Sequence, residues 1–267
     1  MKLANVVITG STKGIGRGLA SEFALRGHNV LVSGRSDESV AEALAAIGEQ
    51  PGKIIGQVCE VSEREQQQAL WDRAVEEFGS VDVWINNAGL ARTVWSITDT
   101  PTDQIEAMVH TNMRGTIFGS IVAANGMKAQ GHGKIFNILG GGSDGEYFPG
   151  IAIYGTTKRG LDYFSTALSK ELKDTGVIVG RVRPGMVITD AVIREVRADP
   201  ERFQKSRKMM NNIVDRVETV SPFIVDEMLA FTKNGSKIRW LTGATIGLRM
   251  LKGLIRKRPD QFEDFGL

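Results

Sequence analysis

Cysteine occurs once in the 267 residues, at Cys59, so no disulfide can form within the chain and thiolate-rich zinc sites are excluded. A lone thiol suits a reducing compartment. Histidine is almost as scarce: His28, His110 and His132 are scattered without ligand spacing, and no metal site is expected. The net charge of +2 offers no bulk electrostatic case for a nucleic-acid partner. No apolar run reaches the length of a membrane span, and the chain enters an apolar strand directly, with no signal peptide. A cytoplasmic protein is expected. Repeats and low-complexity linkers are also lacking. With 42% hydrophobic and 24% charged residues, a single α/β domain over residues 1–267 is expected.

Glycine is plentiful, and its placement is informative. The apolar run 4–9 leads into Gly10-Ser11-Thr12-Lys13-Gly14-Ile15-Gly16, and a helix with Leu19, Phe23 and Leu25 follows. A glycine turn between a buried strand and a helix N-terminus lets backbone amides approach a pyrophosphate. Strand-like runs then alternate with helical ones: 29–33, 53–58, 81–85, 134–138 and 177–182 against helices near 38–47, 64–78, 105–122 and the run after Tyr154. This alternation predicts a Rossmann-type, doubly wound parallel sheet with helices on both faces. The residues of chemical interest fall just after strand C-termini, where such sheets bind ligands.

Two features point to chemistry. The second strand ends in Ser33-Gly34-Arg35, with no acidic residue where an NAD enzyme holds the ribose 2′-hydroxyl. Gly34 suggests room, and Arg35 with Lys13 suggests charge, for an adenosine 2′-phosphate; NADP(H) is the expected cofactor. Farther on, Tyr154 and Lys158 are four residues apart, one turn along a helix face. A nearby ammonium favours a phenolate and makes a tyrosine usable as a general acid or base. On spacing alone, an exposed Tyr-Lys pair on a helix surface is the commoner arrangement.

From about residue 3 to 190 the chain resembles the short-chain dehydrogenase/reductase family. The matching pieces are residues 9–16, Asn86-Asn87-Ala88-Gly89, Asn112, Tyr154 with Lys158, and Pro184-Gly185 with Thr189. The resemblance implies hydride transfer between a nicotinamide cofactor and a carbonyl–alcohol pair. Tyr154 would move the proton, Lys158 would lower its pKa and hold the nicotinamide ribose, and Asn112 would anchor a water in the relay. Gly10, Thr12, Lys13, Gly14, Ile15, Gly16, Arg35, Glu60, Val61, Asn87, Ala88, Gly89, Pro184, Gly185, Val187 and Thr189 would line the cofactor, with Glu60 near the adenine and Thr189 at the nicotinamide end. A homodimer or homotetramer is also implied.

One departure matters. The family's catalytic serine stands thirteen residues before the tyrosine, and Gly141 stands there in this chain. Ser143 is the nearest hydroxyl and is expected to take the role. The run 135–145 with this displaced serine resembles the chlorophyll b reductase branch, as do residues 184–190 and 238–243. That branch reduces a 7-formyl group to hydroxymethyl with NADPH. A bulky apolar carbonyl compound is therefore the expected substrate, with a general ketone, aldehyde or 3-oxoacyl group as the alternative, and a non-catalytic dinucleotide-binding protein as a further one.

Residues 190–233 lie where the family carries a substrate lid, and Phe203, Met209 and Met210 are expected to form an adaptable apolar entrance, with Trp95 nearby to stack on a ring. The extension 234–267 mixes Ile246, Leu248, Met250, Leu251, Leu254 and Ile255 with Arg249, Lys252, Arg256, Lys257 and Arg258. Such a basic amphipathic stretch either packs on protein or lies on an anionic membrane surface.

Overall fold

A computed structural model describes residues 3–256 and 258–267; Lys257, one of the tail's basic residues, lies outside the described residues. Strands β1 (Asn5–Ile8), β2 (Asn29–Gly34), β3 (Ile54–Val58), β4 (Val83–Asn86), β5 (Gly133–Ile138) and β6 (Val177–Arg183) alternate with helices. The helices are α1 (Gly14–Leu25), α2 (Asp37–Ile47), α3 (Arg64–Phe78), α4 (Thr102–Met108), α5 (Gly115–Gln130) and α6 (Ala152–Glu171), with a π-helical turn, Val109–Arg114, between α4 and α5. After β6 come β7 (Met186–Ile188), α7 (Asp190–Ala198), α8 (Pro200–Ile213), β8 (Val214–Arg216), α9 (Val217–Leu229), β9 (Lys237–Arg239) and α10 (Gly243–Ile255).

Seven parallel strands pair in the order β3-β2-β1-β4-β5-β6-β9. Successive side chains of a strand point to opposite faces, so β1 feeds two cores. Val6 and Ile8 meet Leu19 and Phe23 of α1 and Ile224 and Met228 of α9. Val7 meets Leu70 and Trp71 of α3 and Val122 and Met127 of α5. Leu25, counted with the apolar stripe of α1, is instead exposed. The strand order reverses between β1 and β4, which opens a crevice at their C-terminal ends.

Residues 190–233 divide into two parts. α7 and α8 gather around Val196 and Phe203, which pack with Val214 and Phe262 of the tail in a small core of their own. α9 belongs to the main core, and Gly18 leaves room for its Val217 and Ser221 against α1. Phe203 is buried edge-on against Phe262, at 5.0 Å between centroids, so it forms the interior of this small core and not an exposed entrance. Met210 packs against the same small core, whereas Met209 is exposed. Among the described residues, no helix is long and apolar enough to cross a membrane.

Candidate active site

The glycine turn is held in place from β4. Asn87 donates its side-chain amide to the carbonyls of Thr9 (3.0 Å) and Gly10 (2.8 Å), and the Asn87 and Ala88 amides donate to Thr9 Oγ1. A Cβ on Gly10 would stand 2.7 Å from Ala88 Cα, and Gly10 and Gly14 both adopt positive φ, at 60° and 55°. Only glycine meets both demands. α1 begins after Lys13 with no side-chain cap and no acidic residue in its first turn. Its free amides and dipole therefore face an uncrowded turn, a fit for a dinucleotide pyrophosphate. Thr189 stands on the other side, its methyl 3.3 Å from where a Gly14 Cβ would lie, and caps α7 through Val192 N.

Other expected cofactor residues sort differently. Lys13 and Arg35 are exposed and take part in no ion pair among the described residues. Gly34 is fully buried, and the space above it is filled by the Thr12 methyl and the Ser39 hydroxyl, so the expected room is not empty. Glu60 binds its own turn, accepting from Ser62 N (3.2 Å) and Ser62 Oγ (3.1 Å). The Val61 and Val187 side chains are core, so only their backbones can face a ligand. Ile15 is half-buried against the first core, and Gly185 takes φ +80° in the bend after Pro184.

Asn112 sits in the π-helical turn, fully buried. Such irregular turns reorient single side chains. Its Oδ1 accepts from Leu90 N (2.7 Å), and its Nδ2 donates to Leu90 O (2.9 Å) and Thr157 Oγ1 (3.0 Å). The place a Gly89 side chain would fill is 3.5 Å from both Asn112 Oδ1 and Lys158 Nζ. Lys158 is 3% exposed, donates to Ile138 O at 3.0 Å and lies 5.8 Å from the centroid of the Tyr154 ring. Burial, which disfavours the ammonium, brings its pKa down to about 8. Burial likewise pushes the Tyr154 phenol up to about 12. The charge opposing burial at the phenol is Arg183; the expected influence of Lys158 is not what acts on it here.

The Tyr154 hydroxyl lies over Gly140, where a Cβ would collide with it; a Cβ on Gly141 would meet Ile151 instead. Counting thirteen residues back misplaced the facing position by one, because the count assumes a turn of standard length. Ser143 is fully buried and its Oγ has no hydrogen-bond partner, so it does not bond Tyr154 in this state. Its turn is pinned on three sides. Arg159 donates to Ser143 O (2.9 Å), Arg183 pairs with Asp144 and Glu146, and Lys237 pairs with Asp144 at 2.5 Å. Burial alone would raise the Asp144 pKa, but Lys237 and Arg183 outweigh it and hold the carboxyl down at about 2. Arg183 and Lys237 were not expected in the site. The Arg-Pro-Gly run was visible, but Lys237 meets Asp144 only because β9 joins the sheet at Arg181↔Lys237.

A cavity of about 430 Å³ lies between the loops after β4 and β5 and the start of α8, reaching Ala152, two residues from Tyr154. Trp95, Ile97, Tyr147 and Pro149 give it apolar walls, and Arg202 and Asp199 add polar ones. The loop after β4 is clasped to α7 and α8: Thr93 N donates to Glu195 Oε2 at 2.6 Å, and Arg202 bonds both Thr93 O and Pro149 O.

The short chain dehydrogenase model matches residues 4–200. The chain belongs to the short-chain dehydrogenase family. Members of this family are oxidoreductases that bind a nicotinamide dinucleotide. Among its relatives, the probable chlorophyll(ide) b reductase NYC1, chloroplastic, of Oryza sativa subsp. japonica is 34% identical over 95% of this chain and 53% of that protein. The chlorophyll(ide) b reductase NOL, chloroplastic, of the same plant is 36% identical over 90% of this chain and 71% of that protein. The chain thus spans about half of the NYC1 protein. The levodione reductase structure superposes with a TM-score of 0.82 at 22% identity, over 91% of this chain and 99% of that one, a likeness of fold.

Proposed function

We propose that this short-chain dehydrogenase is an NADP(H)-dependent carbonyl reductase acting on a bulky, largely apolar aldehyde of the formyl-chlorophyll type. The observations that carry the reading are the Tyr154 hydroxyl over Gly140 and, in the same turn, the buried and unpartnered hydroxyl of Ser143. A bound NADPH would supply hydride to the carbonyl carbon. Tyr154, protonated at any working pH with its pKa near 12, donates the proton to the carbonyl oxygen. Ser143 turns its free O–H to the same oxygen and steadies the charge developing there. Lys158 and Asn112 hold the ribose and the relay beneath Tyr154, while the amides starting α1 hold the pyrophosphate. Lys13 and Arg35, exposed and in no ion pair among the described residues, grip the 2′-phosphate.

Substrate class is supported by the relatives at 34–36% identity that are named chlorophyll(ide) b reductases, and by the Trp95–Tyr147 cavity. At about 430 Å³ it falls within the ordinary range for small-molecule sites, about 300–1,000 Å³. α7 and α8 act as the lid, clasped through Glu195 and Arg202. A second reading, a reductase of smaller ketones or aldehydes, is favoured by the burial of Phe203, which removes one aromatic from the entrance. The reading keeps a reducing, cytoplasm-like setting and a homodimer or homotetramer, both checked by fractionation and molar mass.

The test is incubation with NADPH and chlorophyllide b, following the 7-hydroxymethyl product by absorbance and chromatography. Conversion is the expected result. Turnover of small ketones without conversion of the pigment would support the second reading and remove the first.

A further inference from the structure

α10 turns its apolar face outward. At 100° per residue, Ala244, Leu248, Leu251 and Ile255 fall on one narrow stripe. All four are exposed, Leu251 by 62% and Ile255 by 92%. The opposite side faces protein: Gly253 lies against Asn212 of α8, and Arg249 pairs with buried Asp215 at 2.7 Å. A solvated surface helix carries the reverse arrangement, and a contiguous exposed apolar stripe marks an interaction site.

The charge around the stripe has one sign. Residues 228–259 contain eight Lys or Arg and no Asp or Glu. Arg249 and Arg258 are committed to Asp215, whereas Lys252 and Arg256, which flank the stripe, are exposed and in no ion pair among the described residues. Between α8 and the tail, a groove of about 520 Å³ is lined by Arg207, Lys208, Asn211 and Arg258, with Asp260 the single acid. Arg207 pairs with Asp260 there at 2.7 Å and Arg258 with Asp215, which leaves Lys208 as a cation in no ion pair among the described residues.

We infer that α10 is a docking surface for an anionic phospholipid bilayer, with the Leu248–Leu251–Ile255 stripe entering the interface and Lys252 and Arg256 meeting headgroup phosphates. A second copy of the chain is the poorer occupant. A twofold contact through this stripe would bring together two helices that carry cations and no carboxylate. The inference goes beyond the proposed reaction and stands or falls independently of the substrate.

Vesicle co-sedimentation of the full chain tests it, with phosphatidylcholine vesicles with and without phosphatidylglycerol. The wild type should bind only the anionic vesicles and be released by about 0.5 M salt, where the screening length falls to a few Å. Leu251→Glu with Ile255→Glu should lower the partition coefficient at least about tenfold, since each leucine-sized side chain contributes about that much. Lys252→Gln with Arg256→Gln, which leaves the apolar stripe whole, should weaken binding to anionic vesicles while reduction of a water-soluble aldehyde stays unchanged. Wild type remaining in the supernatant, or all three proteins partitioning alike, would overturn the inference. So would stripe variants that change the molar mass in solution and leave vesicle binding as it was, which would make the face a subunit interface.

Discussion

The Tyr154 hydroxyl lies directly over the Cα of Gly140, in a space that any side chain at 140 would occupy. A serine placed there would have to displace the phenol. In the proposed mechanism a second hydroxyl for the substrate oxygen comes from elsewhere in the turn, and Ser143 carries a buried one with no hydrogen-bond partner. Ser143→Ala is expected to lower kcat by about 10²–10³, the typical worth of one oxyanion donor, with little change in the KM for NADPH. Steady-state kinetics with a small aldehyde check this. A variant with unchanged kcat would remove Ser143 from the reaction.

Asp144 is expected to act on the reaction through Ser143, because its bonds to Lys237 and Arg183 pin the turn to β6 and β9. Asp144→Asn should cost about tenfold in kcat, less than the ~10² that a 1 Å misplacement can cost. In a double-mutant cycle with Ser143→Ala the two losses should fall far short of adding, since both act on one hydroxyl. Full additivity would assign Asp144 to stability alone.

The pH dependence has a definite sign. Lys158 titrates near 8 because burial penalises its ammonium, and the proposed grip on the ribose needs the charged form. The kcat/KM for NADPH, which reports the free enzyme, should be level below about pH 7 and fall as pH rises through about 8. Lys158→Met should show a lower value with that limb gone. A wild-type profile flat to pH 10 would contradict the account.

Cofactor choice should depend on Lys13 and Arg35. Arg35→Ala is expected to raise the KM for NADPH about 10–100-fold while leaving NADH unaffected, from a charge-assisted contact of about 1.5–3 kcal/mol. An acidic residue at position 34 is a poorer probe, since its Cβ would also push Thr12 aside. Equal effects on both cofactors would deny the 2′-phosphate contact.

Much of this was legible in the residues. α3 ran over Arg64–Phe78 as expected, because Leu70, Trp71 and Ala74 repeat at helical spacing and Gly79 ends the helix at φ +84°. The six longer strands were legible because β-branched runs buried on both faces have little other use. β7, β8 and β9 were not: each has three residues, and a pattern that short has no period to detect. α9 read as lid because it falls within residues 190–233, and only its packing on α1, with Gly18 opposite Ser221, shows that it belongs to the main core. In the site, Tyr154, Lys158 and Asn112 could be named from motif spacing. The Arg183–Asp144–Lys237 clamp could not, since it joins residues 39 and 93 apart in sequence, and the facing position at Gly140 depends on the length of its turn. The displaced pKa values of Tyr154 and Lys158 follow from burial, which no local pattern reports.

The most direct test of the central claim is a single-turnover experiment on Tyr154→Phe, mixing the NADPH-loaded protein with an aldehyde and following cofactor absorbance and fluorescence. The expected result is cofactor binding close to wild type, seen in the fluorescence, with oxidation slowed beyond about 10², the lower end of the general-acid contribution. Oxidation within a few-fold of the wild-type rate would contradict the assignment of Tyr154 as the proton donor.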